Sequence, residues 1–180
     1  MAKKSRTSGT LPLPSAGGPP ATVALRVLEE AGVPYTLHAY AHDPSSELSY
    51  GEEAAAALGT DQGRVFKTLV AEVDGALTVA VVPVSGSLDL KALASAVGGK
   101  RAAMADPAAA ERSSGYVRGG ISPLGQRKAL PTVVDATALS HPTVFVSAGK
   151  RGLEVELAPA ALVELTAAAT APLLRPGTRG

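Results

Sequence analysis

The chain has no cysteine among its 180 residues, which removes a disulfide framework, a thiolate zinc site and a protein thiol nucleophile in one step. Tryptophan is also absent and aromatics make up only 3%, so a core has to be assembled from many small contacts among Ala, Val and Leu. No run reaches the roughly 18 consecutive apolar residues of a membrane span. The first twenty residues carry early positive charge without the apolar stretch of a signal peptide. No membrane association is therefore expected, and a soluble cytoplasmic location is. The three histidines (His38, His42, His141) lack metal-ligand spacing, so no metal is assigned. No GxSxG elbow, GxGxxG fingerprint or GxxxxGK[ST] loop occurs. A serine triad, a dinucleotide and a nucleotide-hydrolysing loop are left without support, and no cofactor is expected.

Hydrophobic residues reach 46%, and the length suits one domain with a real core better than two small ones. Residues 1–20, rich in Ser, Gly and Pro, read as a disordered arm, and 175–180 as a frayed tail. The expected domain is therefore 21–174. Net charge is only +1, but it is unevenly spread. Between positions 91 and 151 stand Lys91, Lys100, Arg101, Arg112, Arg118, Arg127, Lys128, Lys150 and Arg151 against Asp106, Glu111 and Asp135. Such a segment offers a phosphate-facing surface, or merely scattered solvated charge.

Local signals predict a helix over 22–31 stopped by Gly32 and a strand over 35–40. Ser49-Tyr50-Gly51-Glu52 forms a capping box opening a helix to Leu58. Two strand-like runs, 65–73 and 76–84, flank Asp74-Gly75, the signature of a type I′ hairpin. Asp89 caps a helix through Val97, and Asp106-Pro107 starts another. A glycine-rich stretch spans 115–125. Strands follow over 132–135 and 143–147, then a Gly149-Lys150-Arg151-Gly152 turn, a strand over 153–157 and a helix from Pro159. Strands interleaved with short helices around a firm antiparallel hairpin give the α+β class: one compact domain with a curved or barrel-like mixed or antiparallel sheet.

Three places could carry chemistry. Strand periodicity puts Lys67 on a face with Val65, Leu69, Ala71 and Val73, where an amine must reach a cleft, pair with an anion or lose charge; the plain alternative is an edge lysine that blocks aggregation. Gly119-Gly120-Ile121-Ser122-Pro123-Leu124-Gly125 can expose backbone amides to an oxyanion or phosphate, or serve as a tight crossover. The Gly149 to Gly152 turn sets two cations between glycines, as a phosphate-binding or simply solvated turn.

Five ordered blocks carry a resemblance: His38-Ala39-Tyr40-Ala41-His42-Asp43-Pro44, Phe66-Lys67-Thr68-Leu69, Met104-Ala105-Asp106-Pro107, the run from Ser114 to Gln126, and Gly149-Lys150-Arg151-Gly152. Together they resemble the YbaK/EbsC family of Cys-tRNA(Pro)/Cys-tRNA(Cys) deacylases, relatives of the editing domain of bacterial prolyl-tRNA synthetases. The resemblance implies a YbaK-like fold and trans-editing hydrolysis of Cys-tRNA(Pro) and Cys-tRNA(Cys), assisted by the substrate thiol. It implies Lys67 as the essential lysine, with substrate held by Tyr40, Tyr50, Thr68, Gly119, Gly120, Ile121, Ser122, Pro123 and Ser147. The tRNA would meet Arg118, Lys150 and Arg151, with prolyl-tRNA synthetase as a further partner. Tyr50 stands where phenylalanine is common, and Ala148 where glycine is. Two other readings stay open: removal of alanine or another small residue by activated water, and a non-catalytic module binding tRNA 3′ ends or a synthetase.

Overall fold

The computed structural model describes residues 21–177; the expected arm lies outside them. The chain runs α1 (Val23–Ala31), β1 (Tyr35–Ala39), α2 (Tyr50–Leu58), β2 (Phe66–Val73), β3 (Ala76–Pro83), α3 (Leu90–Ala96), β4 (Ala102–Met104), α4 (Pro107–Ser114), β5 (Thr132–Asp135), β6 (Val144–Lys150), β7 (Leu153–Leu157), α5 (Pro159–Thr166) and β8 (Ala169–Ala171).

The strands form two sheets, β1-β7-β6 and β4-β2-β3-β5-β8. The first is antiparallel, and the second adds the parallel pairs β3–β5 and β5–β8 to its antiparallel hairpin. A single parallel bridge, Val65 to Phe145, joins them. The α+β class holds, but the sheets do not close into a barrel. Beyond that bridge β6 turns away through a bulge between Ser147 and Lys150, and the two sheets part.

The hairpin shows why local chemistry sets the fold. Asp74 and Gly75 take φ of 48° and 83°, as a type I′ turn demands, and the Asp74 carboxylate accepts the amides of Lys100 and Arg101 at 2.9 and 3.0 Å. That contact seats β4 beside β2. The expected box is present at α2, where the Ser49 hydroxyl accepts from Glu52 N and Glu52 returns to Ser49 N.

Period-two alternation divides β3 between two cores. Val79 and Val81 face the layer between the sheets with Phe66, Val146, Val155 and Leu28, while Ala80 and Val82 face α3 through Leu93 and Ala94. Ala54 and Ala55 of α2 pack on Val65 and Phe145 over the outer face of the three-stranded sheet. Small side chains let the layers approach, as the composition requires. The pieces that short-range reading missed are β4 and β8, three residues each, too short to show periodicity. β6 also continues past Ser147 to Lys150, so Gly149 and Lys150 belong to a strand end.

The loop between α4 and β5 is tied down by Tyr116, which is buried and donates its hydroxyl to Leu124 O at 2.6 Å. Tyr116→Phe should lower stability by about 1–2 kcal/mol, because it leaves the buried Leu124 carbonyl without its donor. Urea denaturation of the two proteins measures this; equal midpoints would show that the carbonyl finds another partner.

Candidate functional site

The cleft lies where the two sheets part. The free side of β2 supplies Phe66, Lys67, Thr68, Leu69 and Val70. The three-stranded sheet supplies Ser147 and Glu154, cross-strand partners on one face. The start of α2 contributes Ser49, Tyr50 and Gly51, the entry to α4 contributes Met104, Ala105, Pro107 and Ala110, and the loop contributes Arg118, Gly119 and Ile121. The cavity measures about 420 Å³ and is mostly apolar.

Register explains why β2 is open here. Val65 O accepts from Val84 N, so the odd positions of β2 exchange hydrogen bonds with β3 and the even ones address the other side. On that side β4 begins pairing only at Ala71, with Ala105 N reaching Val70 O. Between that ladder and the Val65 bridge, the peptide groups flanking Thr68 face the cleft. The Thr68 hydroxyl oxygen is itself buried and has no hydrogen-bond partner among the described residues.

Two ionisable groups share this space. Lys67 is half-buried, and desolvation lowers its pKa while Glu52 of α2 partly restores it. Among the described residues it forms no ion pair. Glu154 is only 8% exposed, and burial pushes its carboxyl up to about 8. Tyr40 is pushed up to about 12 by burial first and then by the acids Glu154 and Glu53.

Tyr50 closes one wall. A Cβ on Gly119, whose φ is +83°, would lie 2.7 Å from its ring, so glycine is required there by both conformation and contact. The Arg151 guanidinium sits 5.1 Å from the ring centroid and donates to Arg118 O at 2.8 Å. Beyond the ring a smaller pocket of about 350 Å³ is bordered by His42, Asp43, Ser46, Leu48, Glu53 and Arg151. There Glu53 accepts from Asp43 N at 2.7 Å and meets His42 Nδ1 at 2.8 Å, tying the loop before α2 to its helix.

The aminoacyl-tRNA editing domain family matches residues 46–165, two-thirds of the chain. The chain belongs to this family. It is 42% identical over 146 residues, 81% of its length and 88% of the relative's, to the Enterococcus faecalis protein EbsC, provisionally named a Cys-tRNA(Pro)/Cys-tRNA(Cys) deacylase. A solved structure provisionally described as a trans-editing enzyme for prolyl tRNA synthetase superposes with a TM-score of 0.72 at 27% identity, covering 86% of this chain and 98% of that one. The hypothetical protein APE2540 shares the fold with a TM-score of 0.75 at 24% identity, covering 86% of this chain and all of that one.

Within this editing domain the cleft brings together Lys67, Thr68, Tyr50, Gly119, Ile121, Ser147 and Arg118. It does not collect every expected residue. Gly120 is buried against the backbone of Lys150 and Arg151, where a Cβ would meet atoms at 3.0 Å, and its amide is committed to Val117 O. Ser122 is fully buried with its hydroxyl accepting from Leu124 N, and Pro123 is buried beside it. These three shape the loop from behind, so among the loop residues expected to face an oxyanion only Gly119 and Ile121 border the cavity. Tyr40 packs with Ala54, Val65 and Phe145 rather than lining it. Lys150 and Arg151 are exposed at the strand end.

Sequence reasoning missed Glu154 and the apolar wall of Met104, Ala105, Pro107 and Ala110. In Leu153–Leu157 the alternation puts Leu153, Val155 and Leu157 in the core, which by itself assigns Glu154 to solvent; only its cross-strand partner Ser147 hinted otherwise. Met104, Ala105 and Pro107 lay in a block already matched by resemblance but without a role, and Ala110 lay just beyond it.

The folded chain holds on Glu154 a proton that the unfolded chain releases between 4.5 and about 8. That contribution to stability is complete below the lower value and is lost as pH rises toward the upper one. Glu154→Gln has no proton to lose, so its stability relative to the parent should climb steadily from about pH 5 to about pH 8 in urea denaturation. A pH-independent difference would show that the carboxyl titrates normally.

Proposed function

We propose that the chain is a trans-editing deacylase of the cytoplasm that hydrolyses the ester of Cys-tRNA(Pro), and of Cys-tRNA(Cys), with the substrate thiol as nucleophile. The observation that carries this is the inventory of the cleft. It holds an amine, a buried carboxyl, hydroxyls and open backbone groups, but the chain has no cysteine and no histidine lines the cavity. His38 is held by Glu156 and His42 by Glu53. The hydroxyls of Ser49, Thr68 and Ser147 thus have no imidazole beside them to take a proton, and that of Ser147 accepts from Gly149 N at 3.2 Å. A cysteinyl ester carries its own nucleophile. The sulfur attacks the ester carbonyl, the ribose oxygen leaves with the thiol proton, and the strained thioester ring opens in water. Holding sulfur and carbonyl together is then most of the catalysis, and intramolecular geometry is rewarded heavily.

In this reading Lys67 attracts the phosphate of the terminal nucleotide and sets the register of the ester. The Gly119 and Ile121 amides lie where a carbonyl oxygen gains charge. Tyr50 and the wall from Met104 to Ala110 exclude water and limit side-chain size. Arg118, Lys150 and Arg151 extend positive charge outward along the acceptor stem. The names of EbsC and of the trans-editing protein support this substrate class and prolyl-tRNA synthetase as a partner.

Lys67→Ala should keep the parental circular dichroism spectrum and lose most turnover, because its charge serves the site rather than the core. Full activity in the folded variant would remove the lysine from the mechanism. Ala-tRNA(Pro) should compete for the cleft yet turn over at least about a hundredfold more slowly than Cys-tRNA(Pro), a gap of roughly 2.7 kcal/mol in activation energy. Equal single-turnover rates would instead mean that an activated water does the chemistry.

A further inference from the structure

Glu154 has no place in the mechanism as described, yet it is the most buried ionisable residue lining the cleft. The residue is more than nine-tenths buried, it lines the cavity, and among the described residues nothing hydrogen-bonds to its carboxyl or pairs with it. A carboxyl in that position is costly unless something meets it. Lys67 does not: no ion pair joins the two among the described residues, and the acid acting on Lys67 is Glu52 of α2. The cavity is therefore polarised, with a cation toward the outside and an unpaired acid within.

A second orphan stands in the same wall. The buried Thr68 hydroxyl lacks a partner, and the register turns the Thr68 peptide groups away from β3 toward the cleft, where neither β4 nor β6 pairs with them. Three acceptors thus face the cleft, the Glu154 carboxyl, the Thr68 hydroxyl oxygen and the Thr68 carbonyl, of which the hydroxyl is fully buried without a partner among the described residues. Buried acceptors left open in a cleft mark the place of a donor, and an alkylammonium offers three N–H groups with positive charge.

An aminoacyl ester on a terminal nucleotide has matching polarity, with phosphate at one end and a free α-amino group at the other. We propose that Glu154 and the open edge of β2 at Thr68 form a subsite for the free α-ammonium group of the substrate, so that esters with an acylated amino group are refused. The subsite rests on the deacylase reading for its ligand. It selects aminoacyl-tRNA against peptidyl-type and N-formylated tRNA, whose amide nitrogen bears no charge and brings a bulky carbonyl against the acid. A site made to bind a charged donor rejects the analogue lacking it strongly, since its own polar groups stay unpaired.

The test compares Cys-tRNA(Pro) with N-acetyl-Cys-tRNA(Pro) in single turnover, each rate divided by that of the uncatalysed ester because acylation itself alters ester reactivity. The thiol is present in both. The parent protein should favour the free amine by at least about thirtyfold, as expected for a lost hydrogen bond to a charged group. Glu154→Gln should shrink that preference to within about threefold by slowing the free-amine substrate. Thr68→Val, close to isosteric, should reduce it in the same direction and covers the case in which the Glu154 variant does not fold. A parent that treats both esters alike, or folded variants that keep the full preference, would overturn the subsite. Binding of 3′-cysteinylamino-3′-deoxyadenosine and its N-acetyl form, neither of which contains the ester, separates the two readings. If no tRNA is deacylated but the free amine still binds preferentially, the deacylase reading fails and the subsite stands. Equal binding of the two analogues overturns the subsite whatever the turnover.

Discussion

Strand β2 is hydrogen-bonded to β3 along its whole length but has two different neighbours on its other side, and they do not meet. One end is held by the Val65 to Phe145 bridge and the other by the short ladder with β4. Everything at the site follows from the interval between them. A continuous sheet would bury Thr68 in a ladder and leave no cavity; a complete separation would leave β2 a bare edge, an invitation to aggregation. The bulge that bends β6 away and the Asp74 carboxylate that seats β4 are the two devices that fix the width of the gap.

Polarity is divided as sharply as hydrogen bonding. The wall of Met104, Ala105, Pro107 and Ala110 together with Phe66, Leu69 and Val70 keeps the dielectric low, which strengthens any charge the cleft does contain. Lys67 and Glu154 both carry the cost of that environment, in opposite directions. The same desolvation that lowers the lysine raises the acid. A site of this kind trades stability for readiness, because each group is better satisfied by a ligand than by the empty fold.

The secondary structure was largely legible because its signals are local. The Ser49 box, the Asp74-Gly75 turn, the Asp89 cap and the Pro107 start each act within four residues, and each is found where it was read. What the sequence could not show is which elements lie beside which. Glu154 looks solvated in its own strand and becomes buried only because α2 and β2 cover that face. Ser122 and Pro123 look like exposed loop residues and are buried because Tyr116 pulls the loop inward. Whether the sheet is curved or barrel-like stayed open for the same reason, since the bulge that bends β6 away is marked in the sequence by Gly149 alone. Lys67 was recognisable because an amine in an apolar strand conflicts with its surroundings, and that conflict can be seen without knowing the fold.

The ring of Tyr50 forms a common partition between the cleft and the pocket of His42 and Arg151, and this has an optical consequence. The chain contains no tryptophan and four tyrosines. Tyr116 is locked in the core, Tyr35 lies on the outer strand near Glu29 and Tyr40 packs against Ala54, Val65 and Phe145, while Tyr50 stands at the site. Ultraviolet emission from this protein is therefore tyrosine emission, and the Tyr50 ring, with the Arg151 guanidinium 5.1 Å from its centroid, is the one an occupant disturbs. The molecule carries a built-in reporter of its own occupancy, with no label attached.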